Sequence, residues 1–248
     1  MGRPRAHGRR VDILGVGFDR VALADAVAQI ERRLDTGERT FVITANPEFV
    51  MLCRSDQDVS SIAARADLVI PDGTGAVMAA RLLGDPLPGR APGRLLVDRL
   101  AALAAERGLS IFLLGAAAGV AEQAAATLRD RHPSLRIAGT YAGSAEDDDD
   151  VVPRVAAAAP DVLLVAFGMP KQERWIARNL ERVPSVRVAV GVGGSLDYLA
   201  GAAVAPPGIV HAIGLEWLWR LVRDPRRWRR QRVLPLFVLL VLLRRFSR

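Results

Sequence analysis

The 248-residue sequence predicts an α/β protein: a Rossmann-like, largely parallel sheet with helices on both faces, followed by a basic helical appendage. Three observations lead there. Short apolar runs recur along the chain, separated by amphipathic segments long enough for helices, the pattern of consecutive β-α-β units. Several of these runs end in glycine-containing turns, where a parallel strand gives way to a helix. Half the residues are apolar and a quarter charged, ordinary for a chain that buries a sizeable core.

The elements follow in order. Apolar runs place strands near 11–16, 40–45, 67–70, 109–114, 135–138, 161–167 and 186–191. The run 161–167 is apolar almost throughout, as in a strand buried on both faces. Between the strands, helices are expected over about 21–34, 48–64, 75–83, 94–107, 119–131, 149–158 and 171–181. Asn46 before Pro47 suits a helix N-cap, and Pro170 suits a first helical position. Gly84 to Gly93 is rich in glycine and proline and reads as irregular. Ala145 to Asp150 carries Glu146 and four successive aspartates. It reads as a solvated loop leading into an acidic helix N-terminus, where negative charge is favourable, rather than as a metal site. After Gly201 the character changes. Ala205-Pro-Pro-Gly208 reads as a hinge, followed by a helix over about 209–223 with Glu216, Arg220 and Arg223 on one polar stripe.

The net charge of +7 hides an asymmetry. Residues 217–248 carry ten arginines against Asp224, and residues 1–10 carry four arginines, which leaves 11–216 at −6. An acidic body with basic ends suits a partner that presents phosphate, on a lipid headgroup, a substrate or a nucleic acid. We therefore divide the chain into a basic tail (1–10), an α/β catalytic domain (11–202) and a basic amphipathic appendage for membrane association (203–248). Trp217, Trp219 and Trp228 lie among arginines beside the run Val233 to Leu243, the composition of an interfacial segment. As a helix that run extends about 16 Å, against a hydrocarbon core of about 30 Å. It suits entry into one leaflet, not a crossing. The N-terminal stretch does not resemble a signal peptide. One cysteine, Cys53, and three scattered histidines exclude an intrachain disulfide and argue against a structural zinc site, so no metal or cofactor is expected. Gly15-Val-Gly17 and Gly115 to Gly119 both miss the dinucleotide-binding fingerprint.

The most informative stretch is Phe167-Gly-Met-Pro-Lys-Gln-Glu-Arg-Trp175. Lys171 is the only lysine in the chain, and it stands in a first helical turn where a cation opposes the helix dipole. An anion between Lys171 and the free amides of the helix start would account for it. Together with Thr44-Ala-Asn-Pro-Glu48, Pro71-Asp-Gly-Thr-Gly75, Gly191-Val-Gly-Gly-Ser-Leu-Asp197 and Gly214-Leu-Glu-Trp-Leu-Trp-Arg220, this stretch resembles the bacterial WecG/TagA/CpsF glycosyltransferases. The resemblance runs from about Val11 to Arg230. Four of the five motifs lie at expected strand ends, the edge where parallel sheets bind ligands.

The resemblance implies an inverting, metal-independent transfer of an N-acetylmannosamine-type sugar from a UDP donor to undecaprenyl-pyrophosphate-linked N-acetylglucosamine. It places the protein peripherally on the cytoplasmic face of the bacterial membrane. Such a reaction needs a carboxylate for the acceptor hydroxyl and cations or amides for the pyrophosphate. Asp72 is the candidate base, with Thr44 beside it; as a bare sequence feature, Asp72 suits a helix cap equally well. Candidate binding residues are Asn46, Arg90, Gly168, Lys171, Gln172, Glu173, Gly191, Gly193, Gly194, Asp197, Arg220 and Arg223. Three departures from the family pattern bear on the sugar and acceptor: Leu95 replaces an aspartate, Val204-Ala-Pro206 replaces Arg-Ala-Pro, and Gly143-Ser-Ala145 replaces Gly-Tyr-Phe. A UDP-sugar-binding scaffold without catalysis is a second reading, supported only by those departures. A polyanion- or nucleic-acid-binding protein is a third, disfavoured by the apolar run and the absence of any nucleic-acid motif. A homo-oligomer is compatible with the sequence.

Overall fold

The run expected as a single strand at 11–16 folds instead as a hairpin of β1 (Val11–Ile13) and β2 (Val16–Phe18), in a computed structural model that describes residues 10–204, 216–223 and 228–247. Leu14 and Gly15 both take positive φ, the conformation that a two-residue hairpin turn requires. The hairpin is not a member of the main sheet. Asp19, just after it, pairs with Val69 through both its amide (2.9 Å) and its carboxylate (2.7 Å), which covers the sheet's edge strand.

The other six apolar runs form one all-parallel sheet: β3 (Thr40–Ala45), β4 (Leu68–Pro71), β5 (Ser110–Gly115), β6 (Arg136–Tyr141), β7 (Val162–Ala166) and β8 (Val188–Gly191). Their order is β4-β3-β8-β7-β5-β6. The intervening helices are α1 (Leu23–Asp35), α2 (Pro47–Ser55), α3 (Gln57–Arg65), α4 (Thr74–Leu82), α5 (Gly93–Arg107), α6 (Val120–Arg131), α7 (Asp148–Ala158), α8 (Lys171–Asn179) and α9 (Ser195–Leu199). They divide between the two faces, as the alternation implied. Phe49, Val151 and Trp175 pack on one face; Ile30, Leu96, Leu128 and Leu196 pack on the other. The single helix expected over 48–64 is two. Asp56 breaks it with extended backbone and starts α3 anew, its carboxylate accepting from Asp58 N (3.1 Å) and Val59 N (3.2 Å).

The C-terminal part contributes α10 (Glu216–Arg223), α11 (Trp228–Gln231) and α12 (Leu234–Phe246). The hinge expected at 205–208, the start of the helix expected from 209 and the basic tail through residue 9 lie outside the described residues. Helix α12 packs on α2 and α4, where Phe237 and Val241 are buried in the same core as Phe49. Ion pairs Arg230–Glu48 (3.0 Å) and Arg244–Asp12 (2.6 Å) tie the segment down. The opposite face of α12 leaves Leu239, Leu243 and Phe246 exposed. At 13 residues α12 is about 20 Å long. Among the described residues no helix is long and apolar enough to cross a membrane.

Candidate active site

The strand order sets β4, β3, β8 and β7 side by side, so the four motif loops after them form a continuous rim at the carboxyl edge. Close approach of the first two loops depends on Gly75. A Cβ there would lie 2.6 Å from Pro47 Cγ. Below them opens a cavity of about 600 Å³, walled on one side by Asn46, Asp72, Gly73 and Thr74 and on the other by residues of α11 and α12.

Asp72 lines this cavity, and the helix-cap reading of its carboxylate fails: the N-cap of α4 is Gly73, with no side-chain cap bond. Its Oδ1 instead accepts from Gly93 N at 3.0 Å, across the irregular 84–92 segment. Thr44 donates to Gly191 O (2.8 Å), which joins the rims of β3 and β8. A Cβ on Gly93 would stand 3.1 Å from Ser195 Oγ and 3.7 Å from Thr44 Oγ1, so Asp72, Gly93, Thr44 and Ser195 form one cluster. Asn46 lines the cavity while serving as N-cap of α2, its Oδ1 accepting from Phe49 N at 3.0 Å. Arg90 donates to Thr74 Oγ1 (3.3 Å), which sets its guanidinium beside the cavity wall.

A second group lies under the β7 and β8 loops. Gln172 Oε1 accepts from Gly168 N (3.2 Å) and Gly193 N (3.0 Å), and its Nε2 donates to Glu173 Oε1 (2.8 Å). This amide therefore clamps two rim loops together. Gly191 accommodates the pair, since a Cβ there would meet Gln172 Nε2 at 2.7 Å. These placements correct the expectation of direct ligand contact for Glu173, which is 1% exposed and has no surface to offer a substrate. Burial pushes its carboxyl up to about 7, against the opposing effect of the Gln172 hydrogen bond. Its Oε2 has no hydrogen-bond partner among the described residues. None of Gly168, Lys171, Gln172, Gly191, Gly193, Gly194 or Asp197 lines the cavity at Asp72. Asp197 is half-buried beside Gly194, where a Cβ would stand 3.3 Å from its Oδ2.

Lys171 follows Pro170 as the first residue of α8, and both it and Glu146, its partner at 2.8 Å, are exposed. The anion at Lys171 in the structure is the Glu146 carboxylate, which brings the acidic loop to the rim. Three of the four aspartates that follow are engaged within the protein: Asp147 caps α7, Asp148 pairs with Arg178 (2.6 Å), and Asp150 pairs with Arg154 (2.8 Å) and Tyr141.

The sequence profile of the glycosyl transferase WecG/TagA/CpsF family matches residues 11–248. The chain belongs to that family. It is 35% identical over 236 residues to the N-acetylglucosaminyldiphosphoundecaprenol N-acetyl-beta-D-mannosaminyltransferases of Staphylococcus aureus strains MRSA252 and NCTC 8325. Each match covers 94% of this chain and 92% of the relative.

In this glycosyltransferase, sequence reasoning missed the basic residues nearest the cavity. Arg230 and Arg232 line it, Arg230 paired to Glu48. Arg223, expected there, lies over the Trp219 ring at 4.9 Å. The side chain of Arg220 lies outside the described residues. Spacing along one helical stripe favours Arg220 and Arg223, and gives no sign that α11 lines the cavity. Ser195 and Thr74 stand inside two of the rim motifs, where their neighbours, Asp197 and Gly75, carry more obvious chemistry.

Proposed function

We propose that this glycosyltransferase moves an N-acetylmannosamine-type sugar from UDP to the N-acetylglucosamine of an undecaprenyl-diphosphate-linked acceptor. The observation that carries the reading is the cavity at Asp72, with the carboxylate on one wall and a basic, apolar appendage on the other. The carboxylate of Asp72 accepts the proton of the attacking sugar hydroxyl. The hydroxyl oxygen bonds to the anomeric carbon as the bond to UDP breaks, and UDP leaves with the electron pair. A single displacement of this kind inverts the anomeric carbon. Arg90 and Arg230 flank the cavity and supply positive charge to the diphosphates. No step requires a metal ion. The exposed apolar face of α12 and the surrounding arginines hold the protein on the cytoplasmic face of the membrane.

The test is transfer from UDP-N-acetylmannosamine to a diphosphate-linked N-acetylglucosamine acceptor, with excess EDTA or with magnesium, and with the product's anomeric configuration read by NMR. Equal rates and inversion are expected. An absolute requirement for magnesium would reject the metal-free step, and retention would reject the single displacement.

A further inference from the structure

The cavity at Asp72 does not end at the sugar chemistry. Thr74, Met78 and Leu82 succeed one another on one face of α4, leading away from the strand end over two helical turns, about 12 Å. Facing them across the cavity are Leu234, Val238 and Val241 of α12. The groove is therefore polar at Asp72 and Thr74 and apolar along its length. Arg230 and Arg232 stand on its appendage side. Its volume, about 600 Å³, is that of a ligand site. A sugar nucleotide has no use for so apolar a wall. At the mouth, Met78 is 59% and Val238 52% exposed, so the lining continues outward into the exposed face of α12.

We propose that this groove between α4 and α12 seats the first isoprenoid units of the lipid carrier, with the adjoining diphosphate at the arginines and the sugar at Asp72. The inference rests on the acceptor chemistry proposed above and extends it: the enzyme reads the hydrocarbon next to the diphosphate, not only the sugar. Three features of the groove commit it to a prenyl diphosphate and not to membrane acyl chains. It opens at one end on the catalytic carboxylate, carries cations beside it, and meets the lipid-facing surface at the other end.

The full-length protein is assayed without vesicles on N-acetylglucosaminyl diphosphates whose tail is ethyl, geranyl or farnesyl. Burying the added carbons is expected to raise kcat/KM from ethyl to farnesyl by about 100-fold. Met78→Trp and Val238→Trp, which narrow the groove from exposed positions, are expected to collapse most of that discrimination through the KM for the farnesyl acceptor. Turnover independent of tail, or variants that lower all three acceptors equally, overturns the groove proposal and leaves the transfer reaction standing. Absence of transfer to every acceptor overturns the reaction itself, and this proposal with it. Calorimetry gives a second measurement: farnesyl diphosphate is expected to bind at least about 10-fold tighter than inorganic diphosphate, a difference that Val238→Trp removes. Equal binding of the two, or full competition by phospholipid vesicles free of prenyl lipid, overturns the proposal.

Discussion

Asp72 and Glu173 are both rim-motif carboxylates, and they stand in opposite surroundings. Asp72 faces a cavity with Oδ1 fixed by Gly93 N. Asn at this position keeps the volume and that hydrogen bond but cannot take up the hydroxyl proton. Asp72→Asn is expected to retain UDP binding while turnover falls about 10²–10⁴-fold; turnover within a few-fold of wild type would remove Asp72 as the base. Glu173 is sealed under the same rim, its carboxyl raised to about 7 by burial. The folded state holds this proton more tightly than the unfolded chain, whose carboxyl titrates near its ordinary value. Stability from the group is therefore complete below the unfolded value and is lost as pH rises through about 7, by about 3 kcal/mol in all. Glu173→Gln cannot titrate. Urea unfolding at about pH 5 and about pH 8 should show a flatter pH dependence in the variant than in wild type. An unchanged difference between the two pH values would show that Glu173 does not titrate in that range. The placement of Asp72 was legible in the sequence because an aspartate at the end of an apolar run, followed by Gly73 and Gly75, exposes itself through local chemistry. The burial of Gln172 and Glu173 was not, because it depends on Gly191 and Gly193 arriving from another strand.

At the level of elements, propensity and packing disagree most sharply at Gly75. Alanine in a helix ordinarily gains about 1 kcal/mol over glycine. Here its Cβ would stand 2.6 Å from the ring of Pro47, in the first turn of a neighbouring helix. Gly75→Ala is expected to lower Tm by several degrees, since overpacking of about 1–3 kcal/mol outweighs the propensity gain. A rise in Tm would show that the two loops separate freely. The same competition explains what periodicity could and could not reveal. All six sheet strands and most helix spans followed from apolar runs, because each run is long enough to declare its period. The hairpin at Leu14-Gly15 and the break at Asp56 did not, because each turns on one or two residues whose neighbours keep the apolar pattern going. Strand order was likewise hidden: no local feature of β8 shows that it inserts between β3 and β7.

On the scale of the whole molecule, the −6 body and the basic C-terminal segment are parts of one surface. The described part of the appendage folds back, burying Phe237 and Val241 in the core and placing Arg230 against Glu48. Removal of residues 203–248 would therefore uncover apolar side chains of α2 and α4. The sheet and its flanking helices lie within residues 23–199 and should persist in the truncated chain, with a lowered Tm and a greater tendency to associate. Truncation thus conflates anchoring with site completion, so the sharper test leaves the buried face of α12 intact. Leu239 and Leu243 are exposed on its outer side, next to Leu242 and Phe246. Glutamate at both places charges on a face that would otherwise enter the hydrocarbon, where each acid costs about 2–3 kcal/mol at depth. The variant Leu239→Glu with Leu243→Glu is expected to keep the wild-type Tm. Its sedimentation with phosphatidylglycerol vesicles should be lost, and its transfer to an ethyl-tailed acceptor in solution should stay within a few-fold of wild type. Retained vesicle binding would show that the arginines alone hold the protein to the membrane. Lost transfer in solution, with Tm unchanged, would show that the outer face of α12 also shapes the groove beside Asp72.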